Sequence, residues 1–401
     1  MLLKNTLKRI VLKQQSELSK FLGIKRFFKI KLLSRYAIII SGVRRCGKST
    51  LARQFLKDKK HIYYLNFEDI GLSDFKLSDF ERLEEVFKEE LGKSNLYFFD
   101  EIQNIESWEK YIRQLIDDGK KVLITGSNAS MLSKELGTKL TGRHITKELY
   151  PFSYKEFLSL KKKSSSLKLF NEYLKKGGFP EYLKTDEKSI LKNLFQDIIY
   201  RDIIVRNNLR DEAVIKKLIN YLVSNIGNEI SYNKLKIIIG VGSVNTIIQF
   251  MEHLENSYLI FSIKKFDYSY KKQLRNPKKI YCIDNGIIGQ NAFSFSENYG
   301  ILLENQVFIE LKRRGYEVYY HKEKRECDFI VQEKSSITKA IQITKELKDY
   351  NKEREIEGIL EAMNKFNLKE GLILTENQED EIKVEDKIIR IIPVWKWLLE
   401  E

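Results

Sequence analysis

Short apolar runs that end in polar turns organise the first 150 residues. Tyr36-Ala37-Ile38-Ile39-Ile40, Leu96-Tyr97-Phe98-Phe99 and Lys121-Val122-Leu123-Ile124-Thr125 lack the alternation of a strand with one wet face. Such runs predict strands buried on both sides, as in a parallel sheet covered by helices. Ile62-Tyr63-Tyr64-Leu65-Asn66-Phe67 reads as a further strand, and amphipathic helices are expected over 78–91 and 106–117. Ahead of these, Leu3, Leu7, Ile10, Val11, Leu18, Phe21 and Leu22 share one stripe of a basic helix that Gly23 ends. The stripe predicts a helix docked on the core that follows, with a membrane-surface helix or nucleic-acid arm as the alternative.

The rhythm changes after residue 150. Helical patterns flank an obligatory turn at Gly177-Gly178-Phe179-Pro180, and Lys161 to Ser166 is a polar tract suited to a loop or linker. Helices are expected over 211–226, 233–238 and 243–255, the last capped by Ser243, with strand-like runs at 259–266 and 279–283. Beyond a helix bearing Glu304, strands are expected at 318–320, 328–331, 340–344 and 372–374.

The chain has 401 residues, too many for one core, and 42% of them are hydrophobic, enough for several folded domains. Its formal charge of +15 favours a polyanionic partner. Ten of the Lys and Arg lie in residues 1–35, against one acid, Glu17. Cys46, Cys282 and Cys327 are far apart, as are the four histidines, which argues against a disulfide framework, a zinc site or a histidine-based triad. No apolar run reaches the roughly 18 residues of a membrane span, so the sequence predicts a cytoplasmic chain with no membrane partner.

The chemistry concentrates at Gly42-Val43-Arg44-Arg45-Cys46-Gly47-Lys48-Ser49, which satisfies G-x-x-x-x-G-K-[ST] between a strand and a helix. Glycines permit backbone conformations that turn N–H groups inward toward phosphate oxygens, and a helix N-terminus completes the anion site. The cofactor-binding set is Gly42, Val43, Arg44, Arg45, Cys46, Gly47, Lys48, Ser49 and Thr50. Asp100 and Glu101 end the third strand, where α/β sheets bind ligands. Asp100 and the Ser49 hydroxyl are placed to hold Mg²⁺, and Glu101 to polarise a water. Asn128, slightly ahead of Ser127, could orient that water or simply cap a helix. Arg143 could stabilise transition-state charge, within the chain or across a subunit boundary.

The ordered motifs at 42–50, 64–69 (Y-L-N-F-E-D), 98–103 (F-F-D-E-I-Q), 124–129 (I-T-G-S-N-A), 140–143 (L-T-G-R) and 149–157 (L-Y-P-F-S-Y-K-E-F) resemble the AAA-type P-loop ATPases of archaea and some bacteria. In that family an ATPase domain is fused to a C-terminal domain of unknown function. The resemblance implies a magnesium-dependent ATP site at Lys48, Ser49, Asp100 and Glu101. No N-K-x-D sequence is present, which favours adenine over guanine.

Residues 209–283 resemble a winged helix-turn-helix. Ser243, Asn245, Thr246 and Gln249 would enter a DNA groove, with Lys264, Lys265, Lys271, Lys272, Arg275, Lys278 and Lys279 on a basic wing. Residues 284–401 resemble a restriction-endonuclease-like fold. Glu304 and Asp328 match its acids, but Gln342 stands for the second acid and Thr344 for the lysine, so the resemblance implies a degenerate centre. The expected architecture is therefore α/β: a basic N-terminal helical segment (1–35), a P-loop ATPase core (36–150), a helical lid (151–208), a winged helix (209–283) and a nuclease-like domain (284–401). The expected function is Mg-dependent ATP hydrolysis coupled to a DNA-binding winged helix. The alternatives are a slow ATP-dependent switch that binds a protein partner and, third, an ATP-driven nuclease. A homo-oligomer is a further partner this reading allows.

Overall fold

The computed structural model describes residues 2–18, 20, 22–127, 142–291 and 299–400. It divides into two compact units, residues 1–149 and 150–401.

The first unit is built on strands β1 (Ala37–Ser41), β2 (Ile62–Asn66), β3 (Leu96–Asp100), β4 (Lys121–Gly126) and β5 (His144–Glu148). They form one sheet in the order β2-β3-β4-β1-β5, and every pairing is parallel. Because neighbouring side chains point to opposite faces, alternate residues split into two buried sets. Ala37, Ile39, Tyr63, Leu65, Tyr97, Phe99, Val122 and Ile124 join one core with helices α1 (Lys4–Glu17), α3 (Asp79–Leu91) and α4 (Trp108–Asp117). Ile38, Ile40, Tyr64, Phe98 and Leu123 are buried on the other face, where Arg53 of α2 (Lys48–Leu56) donates to the Tyr64 hydroxyl at 3.2 Å.

The N-terminal helix docks on the core through Leu7, Ile10 and Val11 but ends at Glu17, short of the expected Gly23. Leu3 is 74% exposed, and Phe21 lies outside the described residues. Its glutamines cover the sheet's edge. Gln14 accepts from the Asn66 N–H at 2.7 Å and donates to the Asn66 carbonyl at 3.2 Å, while Gln15 donates to the Ile62 carbonyl at 2.9 Å. Edge-strand backbone groups that would otherwise be open to a stray strand are thereby bonded.

The second unit begins with α5 (Tyr154–Lys161), α6 (Leu167–Lys176), α7 (Pro180–Thr185) and α8 (Lys188–Asp197), the last running into a π-helical stretch, Ile198–Val205. Ser153 and Glu156 form a reciprocal capping box on α5. Lys161 closes α5, the rest of the polar tract (162–166) is a short loop, and Ser166 caps α6 by accepting from the Leu169 N–H at 3.3 Å. At the glycine turn Gly177 has φ +73°, and a β-carbon there would sit 2.0 Å from the Asp284 carboxylate. That carboxylate accepts from the N–H groups of Gly178 and Gly286 at 2.6 and 2.9 Å.

Helices α9 (Glu212–Val223), α10 (Tyr232–Ile239) and α11 (Val244–Asn256) are followed by β7 (Ile260–Lys264), α12 (Tyr270–Arg275) and β8 (Lys278–Cys282). With β6 (Glu229–Ile230) these strands make an antiparallel sheet in the order β6-β8-β7. After α13 (Asn285–Asn291) and α14 (Tyr299–Arg313) comes a mixed sheet in the order β13-β14-β12-β11-β10-β9. Its strands are β9 (Glu317–Lys322), β10 (Glu326–Glu333), β11 (Ser336–Ile343), β12 (Glu370–Thr375), β13 (Asp380–Val384) and β14 (Lys387–Pro393), with α15 (Asp349–Lys365) packed on it and α16 (Val394–Trp397) at the end. No single helix among the described residues is long and apolar enough to cross a membrane.

Candidate functional site

Parallel pairing brings Ser41, Asp100 and Gly126 to one edge of the first sheet. The chain leaves β1 through Gly42, whose φ is +156° and whose β-carbon would lie 2.2 Å from the Leu149 carbonyl oxygen, so no side chain fits. Gly47 (φ +99°) turns the chain into α2, and Arg45 also has positive φ, 61°. Val43 and Cys46 are fully buried beneath the loop, and the Cys46 thiol donates to the Leu149 carbonyl at 3.3 Å. Burial pushes that thiol's pKa up despite the nearby Lys48 and Arg26. Arg44 reaches Glu68 at 3.4 Å, and Thr50 is half-buried in the first turn of α2. The loop runs directly into the first turn of α2, and a helix start offers N–H groups without intrahelical partners, an arrangement that favours an anion.

Lys48 is only 5% exposed; its ammonium donates to the carbonyls of Gly42 and Val43, each at 3.1 Å, and lies 3.8 Å from Glu101 Oε1. Ser49 Oγ donates to Asp100 Oδ1 at 2.9 Å, and the Thr125 hydroxyl donates to the same oxygen. Asp100 is 1% exposed. Burial and the neighbouring Glu101 charge raise its pKa to about 6, although the Thr125 and Ser49 hydroxyls oppose the shift. The hydroxyl and carboxylate are hard oxygen donors of the kind Mg²⁺ takes.

Glu101 has φ +53°, a left-handed conformation that costs on the order of 1 kcal/mol for a residue with a β-carbon. Its N–H bonds to the Thr125 carbonyl at 3.1 Å, and its carboxylate accepts from the Gln103 amide. Strain held by such bonds fixes a carboxylate beside Lys48, where it could accept a proton from water.

The other expected catalytic residues are placed differently. Asn128 lies outside the described residues, as do Leu140 and Thr141; Ser127 is buried just beyond β4. Arg143 is not brought to the loop: it precedes β5, its carbonyl accepts from the Ala37 N–H at 3.1 Å, and its side chain pairs with Asp117. In a parallel sheet that is the opposite edge from Gly42, so Arg143 cannot reach a phosphate held by its own loop.

Sequence reasoning missed Arg26. It is 6% exposed and donates to the Cys46 carbonyl at 2.6 Å, bracing the phosphate loop from the N-terminal segment. Gln54 of α2 holds that segment by accepting from the Arg26 N–H at 3.0 Å and donating to the Ile24 carbonyl at 2.6 Å. No periodicity marks a single arginine in an irregular stretch. Thr125 was legible only as the end of a strand, and Gln103 only as the last residue of the motif 98–103.

A second cluster lies in the unit that follows. Lys279, expected on an exposed basic wing, is 2% exposed, and its ammonium lies 3.2 Å from Glu304, 2.7 Å from Glu326 and 3.0 Å from Asp328. Successive residues of β8 face opposite ways: Lys278 stacks over Tyr232 at 4.0 Å and is half-buried, while Lys279 turns to the acids. The basic wing therefore loses Lys279. Burial lowers the Lys278 pKa and raises that of Glu304 to about 7. Thr344 bonds to Asn351 and to the Glu346 carbonyl, and Lys345 sits over Tyr299 at 5.2 Å, so neither supplies a cation at Asp328. His321, Glu323 and Glu361, which no spacing flagged, place ligand atoms within 4.8 Å of one another, with Lys365 on Glu323 and the Arg325 N–H on Glu361.

Two family models match this chain: an AAA domain over residues 34–158 and a domain of unknown function, DUF8612, over residues 167–296. With the parallel sheet and the loop geometry, the first match defines an AAA-type ATPase domain. The chain belongs to the same family as the uncharacterized protein MJ1544 of Methanocaldococcus jannaschii, to which it is 37% identical over 94% of this chain and 91% of that one. An uncharacterized protein of Haemophilus influenzae is 34% identical over 90% of this chain and 94% of its own length. A solved RuvB mutant of Thermotoga maritima aligns over 64% of this chain and 88% of that one at 17% identity, with a TM-score of 0.29, too loose a match to carry an argument.

Proposed function

We propose that the AAA-type domain binds Mg-ATP on the loop 42–49 and hydrolyses it. The observation that carries this reading is the 2.9 Å bond between Ser49 and Asp100, 51 positions apart, beside a Lys48–Glu101 pair at 3.8 Å. These contacts put two residues of the loop beside two at the end of β3, which supports reading the four as one site. Ser49 and Asp100 would hold Mg²⁺, which when bound offsets negative charge on the β- and γ-phosphate oxygens. Lys48 would exchange its loop carbonyls for phosphate oxygens, and Glu101 would take the proton of the attacking water. Asn128 remains our candidate for orienting that water, and Arg143 would act only on nucleotide held by another copy of the chain.

The test is nucleotide titration of the purified chain with ATP and GTP, followed by phosphate release; ATP should bind and turn over in preference to GTP. A pH dependence follows from Asp100, whose buried carboxyl is raised to about 6. Metal binding needs the carboxylate, so Mg-ATP affinity should hold above that value and fall as pH drops through it. Asp100→Asn should flatten the profile and remove the advantage of adding Mg²⁺.

For the second unit we propose a winged helix, supported by its helix and strand order and by the β6-β8-β7 pairing. A DNA partner is favoured by the exposed Ser243, Asn245 and Gln249 at the start of α11. It is favoured too by the exposed Lys271, Lys272 and Arg275, which follow directly on Tyr268 and Tyr270, 80% and 65% exposed. A protein partner is favoured by Ile237, Ile238 and Ile248, which are 78%, 41% and 38% exposed on α10 and α11. Binding to labelled duplex across a salt series separates the two. If DNA is the partner, replacing Lys271, Lys272 and Arg275 by Ala should lower the salt slope by about 0.9 per lost phosphate contact; no binding at low salt would favour the protein partner.

A further inference from the structure

We infer that the Lys279 ammonium holds the cation position of the acid centre formed by Glu304, Glu326 and Asp328, so that the folded chain excludes a divalent metal there. A restriction-endonuclease-like fold would call for Mg²⁺ between Glu304 and Asp328. Those two residues do converge, but the point between them is taken: Lys279 Nζ lies 3.2 and 3.0 Å from their oxygens and 2.7 Å from Glu326.

Neighbouring groups orient these acids toward the ammonium. Asp328 Oδ2 accepts from the Ile343 N–H at 2.9 Å, and Glu304 Oε1 accepts from the Tyr281 hydroxyl at 2.7 Å. Gln342, at the position of the second acid, spends its carbonyl on the Asp328 N–H at 3.2 Å and its amide on Glu355 at 2.6 Å. A divalent ion would have to sit against a buried ammonium whose own side chain is 3% exposed.

An ammonium is a compact point charge with three donors, which suits three carboxylates. It has no vacant coordination position, so it cannot bind or acidify a water as a metal does. Lys279 comes from β8 and the acids from β10 and α14, so the same contact ties the three-stranded sheet to the six-stranded one. Removing the lysine leaves buried carboxylates uncompensated, which is far more costly than never having built the pair. A metal ion is the natural replacement.

The experiment is Mn²⁺ titration of the nucleotide-free full chain, read by the electron paramagnetic resonance of free Mn²⁺ and by thermal melting. No nucleotide enters it, so its outcome is separate from that of the ATPase reading. Wild type and Asp328→Asn should take up the same amount of Mn²⁺. Lys279→Ala should melt lower in EDTA, gain one Mn²⁺ per chain with recovery of its melting temperature, and lose both in Lys279→Ala/Asp328→Asn. Wild-type uptake that Asp328→Asn abolishes would overturn the inference, and so would a Lys279→Ala chain that behaves as wild type. If Lys279→Ala folds in neither EDTA nor Mn²⁺, the comparison of wild type with Asp328→Asn decides: equal uptake upholds the inference and unequal uptake overturns it.

Discussion

Glu101→Gln is expected to bind ATP as the wild-type chain does and to hydrolyse it about two to four orders of magnitude more slowly, the usual worth of a positioned general base. The amide keeps the shape of the side chain and its contact with Gln103, and it sits on the same strained backbone (φ +53°). It cannot take a proton from water. It also removes a negative charge next to Asp100, whose pKa that charge helps to raise, so Mg-ATP affinity should hold or tighten. The measurement is phosphate release at saturating ATP beside an equilibrium titration. Equal loss of binding and turnover would mean that Glu101 supports the loop rather than the chemistry.

Gly42→Ala should damage both the fold and the site. A β-carbon at this position would lie 2.2 Å from the Leu149 carbonyl oxygen, and φ is +156°, a region that residues with a β-carbon rarely adopt. The obstacle is backbone: the Leu149 N–H bonds to the Ser41 carbonyl at 2.7 Å, extending the β1–β5 pairing. Relief requires either parting that pairing or moving the phosphate loop. Overpacking of this kind costs about 1–3 kcal/mol, and a loop displaced to escape it no longer aims its N–H groups at one point. Thermal melting should fall by several degrees, and ATP affinity by more than about tenfold if one charge-assisted contact of about 1.5–3 kcal/mol is lost. Gly242→Ala, where a β-carbon meets nothing within 4 Å, is the comparison that should leave melting unchanged. Unaltered melting in Gly42→Ala would show that the loop backbone can slide away from Leu149 at little cost.

The first sheet was legible because burial on both faces leaves unbroken apolar runs: β1, β3 and β4 fall where Ile38-Ile39-Ile40, Tyr97-Phe98-Phe99 and Val122-Leu123-Ile124 put them. Strand β5 was not legible. It is an edge strand whose His144-Ile145-Thr146-Lys147-Glu148 has one apolar residue among five, and its place is set by pairing with β1 rather than by its own pattern. Strand β13 escaped for the same reason, being short and largely exposed at the sheet's edge, whereas β14 carries four isoleucines and was a readable strand that went unread.

At the site, the motif residues were found because each is tied to a strand end or a helix start. The contacts that distinguish this chain were not, since they join distant segments: Arg26 to Cys46 across 20 positions, and Lys279 to Asp328 across 49. Lys279 shows the limit most clearly. A lysine at the strand edge of a basic wing reads as solvent-facing, and only the alternation within β8 turns it inward. Arg143 was drawn toward the phosphates by its position after the strand at 121–125, but parallel pairing starts β5 at the far edge of the sheet.

The central claim is that Lys48, Ser49, Asp100 and Glu101 serve one metal-bound triphosphate. It is tested most directly by titrating fluorescent ATP into wild type and Lys48→Ala, with Mg²⁺ and with EDTA in its place. The account predicts tight binding to wild type that weakens in EDTA, and binding to Lys48→Ala lowered by at least about tenfold, the loss of a charge-assisted contact to phosphate. Equal affinity in all four titrations would contradict it.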